Sequence, residues 1–212
     1  MKTIYFVRHG QSEANAGKTY QGAGDPLTEE GKKQALIVAE RCTRLPVDVI
    51  ISSTMDRAHD TALAIAARIG KNIELSDEFV ERIAPTHLVE RKERDEEGRR
   101  LYEVWIKSLF SAGVKDDDGE NFTEINTRAK RALDILEKRS ESNILVVTHG
   151  FFLRVMLARA IFGTSLTPEE LFKVDRAIPH TKNTHITVFK FDENDQESPW
   201  KLWVWNDHAH LG

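Results

Sequence analysis

Thr3-Ile4-Tyr5-Phe6-Val7 runs directly into Arg8-His9-Gly10, and Ile144-Leu145-Val146-Val147 runs into Thr148-His149-Gly150. Both runs are short and almost wholly apolar, as a strand buried on both faces requires, and each ends abruptly at a His-Gly pair. A third run, Val47–Ile51, leads into Ser52-Ser53-Thr54-Met55-Asp56-Arg57. Between these runs the apolar period changes from two to about 3.6. Ala35, Leu36, Ala39 and Cys42 predict a helix over 28–42, with Glu29 and Glu30 suited to its positive end. Ala58, Ala62, Ile65 and Ile69 predict another over 56–69, closed by Gly70. A further helical run follows Gly150 through Ile161. Strands alternating with helices predict a largely parallel sheet covered on both faces.

Farther out, Ile73–Leu75 reads as a short strand, and 185–191 and 201–205 read as two final strands. The segment Thr86–Asn121 breaks the rhythm. It holds the charge run Glu90–Arg100, an amphipathic stretch with Tyr102, Trp105, Ile106 and Leu109, and the loop Gly113–Glu120. It is too short to own a large core, so it reads as a helical lid insertion (86–121) within one domain spanning 1–212. The alternating signs in the charge run predict a solvated helix with local ion pairs.

Of the 212 residues, 40% are hydrophobic and 30% charged, which excludes intrinsic disorder and suits one α/β domain. A net charge of -4 argues against general nucleic-acid binding, and Trp200, Trp203 and Trp205 read as packing and edge residues. One cysteine, Cys42, forms no internal disulfide and reads as a small buried hydrophobe. No secretory leader is visible, and no apolar stretch approaches the roughly 20 residues of a membrane span, so a cytoplasmic location is expected. Asp116-Asp117-Asp118-Gly119-Glu120 lacks the ligand spacing of a calcium loop. His208 and His210 have no indicated third ligand, so no metal is expected there. Exposed Trp and Phe on a sheet edge permit a homodimer without requiring one.

The chemistry gathers at the strand ends. In open parallel sheets, ligands bind beyond the carboxyl ends of the strands, so His9 and His149 reach one crevice if their strands are neighbours. The glycine after each histidine lets backbone and ligand approach closely, and the helix after Gly150 presents free N–H groups. Arg8 and Arg57 add forked, permanently charged donors that match phosphate oxygens. An imidazole can attack phosphorus if one nitrogen is held by a hydrogen bond and the other is free. The residues alone thus describe an anion-binding crevice, with His9 and His149 equal candidates for the nucleophile. A proton donor for a leaving alcohol is also needed. Glu81 is the candidate, with Glu78 and Glu90 as rivals that spacing does not separate.

Arg8-His9-Gly10-Gln11-Ser12-Glu13-Ala14-Asn15 resembles the signature of the histidine phosphatase superfamily, also called phosphoglycerate-mutase-like. The resemblance continues in Asp25-Pro26-Leu27-Thr28 with Gly31, Gln34 and Ala35, then in Ser52–Ala62. It returns at Glu81-Arg82, Thr148-His149-Gly150 and Asn206-Asp207-His208, nearly the whole chain in the family's order. It implies a three-layer α/β/α sandwich with a mostly parallel sheet. It also implies a metal- and cofactor-independent phosphoric monoester hydrolase of the histidine acid type. His9 would be the phosphorylated nucleophile and Glu81 the general acid, later the base. Arg8, Arg57, His149 and Gly150 would bind the phosphoryl group, with Asn15 near the same oxygens and Gln21 and Gly22 on the rim.

Family mutases usually carry Glu-Arg-His-Tyr-Gly at the acid position, where this chain has Glu81-Arg82-Ile83-Ala84-Pro85. The lost tyrosine and glycine favour a phosphatase, although Arg82 matches the mutases. The family's phosphoprotein phosphatases are typically shorter and lack a lid, so the expected substrate is a small phosphomonoester. Cofactor-dependent phosphoglycerate mutase is the alternative. A phospholigand-binding module without turnover ranks lower, because His9 and Glu81 are both present.

Overall fold

The computed structural model describes every residue except Ala112. Strand β1 (Lys2–Arg8) pairs in parallel with the strand Asn143–Thr148, which in turn lies parallel to β2 (Val49–Ser52). With β3 (Ile73–Leu75), β4 (Asn143–Thr148), β5 (Ile186–Phe191) and β6 (Trp200–Asp207), the sheet runs β3-β2-β4-β1-β5-β6. The two histidine-bearing strands are therefore immediate neighbours, in the register Val7 to Val147 and Arg8 to Thr148. Their carboxyl ends open on the same edge.

The sheet is three-layered. Ile4, Phe6, Ile144 and Val146 face α5 (Phe122–Lys138) and α6 (Gly150–Phe162), packing with Leu133, Leu136, Phe152 and Met156. The alternate residues Val7, Leu145 and Val147, with Ile50, face α2 (Glu29–Cys42) and α3 (Asp56–Ile69) through Val38, Ala58, Ala62 and Ile65. The change of face at each step along β1 and β4 is the two-residue period of a strand, here apolar on both sides. Helix α4 (Glu96–Phe110) and helix α7 (Pro168–Ala177) pack against each other beside the α5–α6 layer, and α1 (Glu13–Gly17) follows β1.

The helix read over 56–69 has those bounds, and Gly70 closes it at φ 67°. Thr28 caps α2 through its side chain, and Cys42 is wholly buried, its thiol pushed up to about 12 by desolvation. The sheet is mostly parallel, as expected: β5 runs antiparallel to β1, and β6 is antiparallel to β5 because the short 192–199 connection can join only antiparallel strands. Strand β2 begins at Val49, two residues later than its apolar run. The charge run is not one helix: Glu90–Asp95 is irregular, with Lys92 bridged to Thr19, and Asp95 caps α4, which begins at Glu96. Helices α5 and α7 lie outside the helices expected from the sequence. Yet α5 carries Ile125, Ala129, Leu133 and Leu136 at helical spacing behind an Asn121–Glu124 capping box, and α7 has Thr167 as cap with Pro168 at its start. Among the described residues, no helix is long and apolar enough to cross a membrane.

Candidate active site

Three strand exits build the site. After β1, His9 N donates to Thr148 O at 3.1 Å, and Gly10 N donates to Thr61 Oγ1 in α3 at 3.0 Å. This exit lies against the first turn of α2: a Cβ on Gly10 would stand 2.5 Å from Gly31 O, and one on Gly31 would stand 2.0 Å from Gln11 O. Only a glycine pair allows that approach, and it fixes where His9 sits. After β2, Ser53 N donates to Val147 O at 3.0 Å, and Arg57 occupies the first turn of α3. After β4, His149 is the N-cap of α6 and makes no side-chain cap of its own.

His9 is 1% exposed. Its Nδ1 lies 2.7 Å from Gly10 O, and because a carbonyl only accepts, the ring proton is assigned to Nδ1. Nε2 then carries the lone pair, and Arg57 Nε donates to it at 3.3 Å. Arg57 is fully buried, and its Nη1 donates to Gly22 O at 2.8 Å. The His149 ring lies 5.0 Å from that of His9, with Nε2 2.8 Å from Ser53 Oγ. That hydroxyl already accepts from Met55 N, so its own proton is available for His149 Nε2. Burial first, then the Arg57 charge, holds both imidazoles well below their ordinary pKa, so both are neutral at neutral pH.

Arg8 is pulled down to about 10, chiefly by desolvation, and so stays charged. Its Nη1 donates to Thr181 O, whereas its Nε is buried without a partner among the described residues, as is His149 Nδ1. Unpaired buried polar groups cost about 1–3 kcal/mol each, and an anion seated between them recovers that cost. Gly150 leaves room for Arg8, since a Cβ there would stand 2.7 Å from Thr181 Oγ1 and 3.3 Å from Arg8 Nε. Two guanidiniums, two neutral imidazoles and the N-terminus of α6 thus converge with excess positive charge.

Glu81 is the carboxylate that reaches this cluster. Its Oε1 accepts from Arg82 N at 2.9 Å and Phe152 N at 2.8 Å, and its Oε2 accepts from Phe151 N at 3.1 Å. Its charge also acts on both Arg8 and Arg57. Of the rivals, Glu78 lines a second cavity that also borders Arg57, but pairs with Arg131, and Glu90 is exposed in a turn. Asn15 and Gln21 are on the rim, Gln21 Nε2 donating to Ser12 Oγ at 2.9 Å. Gly22 contributes its carbonyl to Arg57. Beside Glu81 opens a cavity of about 370 Å³ walled by Tyr20, Tyr102, Phe151 and Arg154; Arg154 is paired with Asp175 at 2.5 Å.

Several contributors carried no sequence signal. Asn183 donates to His9 O at 3.1 Å from the loop before β5, and Thr181 comes from the same loop, far from any motif, whereas Thr61 lies in the Ser52–Ala62 stretch and Arg154 follows Thr148-His149-Gly150 within α6. Ser53 did carry one, since it directly follows an apolar strand as His9 nearly does. The features set aside are structural: Asp118 accepts from Thr86 N and Oγ1, His208 bonds Asn206 O, and His210 bonds Thr184 O. Trp200 packs on Phe189 and Phe191, while Trp203 is exposed beneath Lys190.

A buried imidazole whose Nδ1 is held by a carbonyl, beside Arg57, Arg8 and a second buried imidazole at neighbouring strand ends, is therefore the defining feature of this site. Residues 4–208 match the model of the histidine phosphatase superfamily (branch 1), and the chain belongs to that family. It is 32% identical over 224 residues to Probable phosphoglycerate mutase GpmB of Enterobacter sp. (strain 638), a match covering 100% of this chain and 95% of the relative. Among solved structures it is similar to YhfR of Bacillus stearothermophilus, with TM-score 0.83, 24% identity and full coverage of both chains. It is similar also to the alpha-ribazole phosphatase of Shigella flexneri, with TM-score 0.79 and 22% identity, covering 97% of this chain and 96% of that one.

Proposed function

We propose that this chain is a metal-independent phosphatase that hydrolyses small phosphomonoesters through a phosphohistidine on His9. The observation that carries the reading is the His9 ring itself: Nδ1 is held by a carbonyl, Nε2 bears the lone pair, and Arg57 stands beside it. The substrate phosphate lies between Arg8, Arg57 and His149, where fixed donors meet the charge on its equatorial oxygens. Nε2 attacks phosphorus as the P–O ester bond breaks, and Glu81 gives its proton to the leaving oxygen. The Nδ1–H to Gly10 bond stabilises the positive charge that develops on the ring. Glu81, now a carboxylate, takes a proton from water, whose oxygen attacks the phosphohistidine. Inorganic phosphate leaves and Nε2 regains its lone pair. Two guanidiniums supply the charge neutralisation for which other phosphohydrolases use metal ions.

The curated relatives carry a mutase name, which favours a second reading in which a phosphoglycerate replaces water as acceptor. Arg82, the residue shared with mutases, argues against it. Its guanidinium lies 3.8 Å over the Trp105 ring and donates to Glu120 O, Trp105 O and Ser108 Oγ. It is 5% exposed and its Nε and Nη2 are committed to the protein, so a forked hold on a substrate carboxylate is not open to it. The test is phosphate release from p-nitrophenyl phosphate, sugar phosphates and 3-phosphoglycerate with a chelator present, comparing the native chain with His9→Ala. Release that resists the chelator and disappears in the variant supports the phosphatase. Conversion to 2-phosphoglycerate without release supports the mutase.

A further inference from the structure

The segment that delivers Glu81, residues 80–85, has no regular secondary structure of its own. Two of its carbonyls, with that of Glu78 just before it, end on one side chain of α5. Arg128 Nη1 donates to Val80 O at 2.7 Å and Glu78 O at 3.3 Å, and Nη2 donates to Glu81 O at 3.3 Å. Its remaining donors form a fork with Glu120, Nε to Oε1 at 2.8 Å and Nη2 to Oε2 at 2.6 Å. Glu120 in turn closes on the same strap: its N donates to Ile83 O at 2.9 Å, its O accepts from Arg82 Nε at 3.0 Å, and its Oε2 accepts from Ile83 N at 3.3 Å. Arg128 and Glu120 are each 6% exposed.

The guanidinium of Arg128 also lies 4.0 Å over the Phe152 ring, and Phe152 N is one of the groups that grips the Glu81 carboxylate. Both ends of Glu81 are therefore referred to one rigid plane: its backbone through the strap carbonyls, its carboxylate through the first turn of α6. All five guanidinium N–H groups are engaged within the protein, so none reaches a ligand. An apolar residue of like volume would often fill such a site at no loss of stability, so the merit of a buried ion pair here is placement.

We infer that Arg128, held by Glu120, is a positioning residue that sets Glu81 for proton transfer to the leaving group. The inference rests on the phosphatase reading above. A lysine at 128 keeps the charge but lacks the planar fork, so the strap carbonyls and Glu120 lose their common partner. A misplaced acid slows only those esters whose leaving oxygen needs a proton.

The test compares kcat/KM for phenyl phosphate and p-nitrophenyl phosphate in native protein, Arg128→Lys, Glu81→Gln and the double variant. General acids contribute about 10²- to 10⁴-fold, so Arg128→Lys should lose about 10- to 100-fold on phenyl phosphate and less than about threefold on p-nitrophenyl phosphate. In the Glu81→Gln background, Arg128→Lys should add nothing. Equal losses on both esters, a further loss in the Glu81→Gln background, or unchanged rates on both would each overturn the positioning role. If Arg128→Lys does not fold, Glu120→Gln, which keeps size and one acceptor, is read by the same two rates. Native protein silent on both esters would overturn the phosphatase reading itself, a different result from leaving-group-independent losses in an active enzyme.

Discussion

Arg57 Nε lies 3.3 Å from His9 Nε2, on the far side of an imidazole whose Nδ1 is 2.7 Å from the Gly10 carbonyl. One ring thus donates on one side and accepts on the other, and the arginine that covers its lone pair is the group that would meet an incoming phosphate. An anion that takes over the Arg57 N–H releases Nε2 at the moment of binding, so substrate capture and exposure of the nucleophile become one event.

From this relationship, Arg57→Lys should cost more than a charge-conserving change ordinarily does. Lysine offers neither Nε to His9 nor a fork to the phosphate, and Gly22 O loses its buried partner. Steady-state kinetics should give a kcat/KM lower by about 10²- to 10³-fold, the scale of one lost charge-stabilising donor. A loss below tenfold would mean that Arg57 serves packing alone.

Acid should destabilise the fold through its buried histidines. His185 is wholly buried, and desolvation lowers its pKa to about 4. The unfolded chain takes up this proton near pH 6.5, so below that the unfolded state holds more protons and folding stability falls as pH falls. Above pH 7 the contribution is complete and flat. Between pH 7 and pH 5 His185 alone should cost about 2 kcal/mol. His9 and His149, lowered by burial and Arg57, add in the same direction. Denaturant unfolding at the two pH values checks the slope, which should be shallower in His185→Phe.

Gly31→Ala tests the glycine contact under the nucleophile. Its Cβ would stand 2.0 Å from Gln11 O and 2.9 Å from Gln11 N, and neither is a flexible side-chain end. The strand exit must shift, costing at least about 2 kcal/mol and displacing His9. Gly17→Ala is the control, having no atom within 4 Å. Thermal unfolding should separate the two variants clearly, and equal midpoints would refute the close approach.

What the sequence made legible was whatever local chemistry determines. Apolar runs ending in Arg8-His9-Gly10 and Thr148-His149-Gly150 placed two imidazoles at strand ends, and their strands are neighbours. Helix 56–69 was readable to the residue because Gly70 takes a left-handed conformation. Helix α5 was equally written, in Ile125, Ala129, Leu133 and Leu136, and was missed although its period is regular. Strand direction was not legible from periodicity, which is identical for parallel and antiparallel neighbours. The short 192–199 connection held that information for β5 and β6 alone. The choice of Glu81 over Glu78 and Glu90 needed geometry, since it depends on α6 lying across the strap from 70 residues downstream. Arg128 and Arg154 were invisible for the same reason: their meaning lies in partners outside their own helices.

The central claim is that His9, and not His149, receives the phosphoryl group. The most direct measurement is to quench the enzyme during turnover of p-nitrophenyl phosphate under alkaline conditions, where phosphohistidine survives, and to locate the added phosphoryl group by peptide mass spectrometry. The expected label sits on His9, disappears after acid treatment and accumulates further in Glu81→Gln, where water lacks its base. A label on His149, or turnover with no phosphohistidine in either protein, would contradict it.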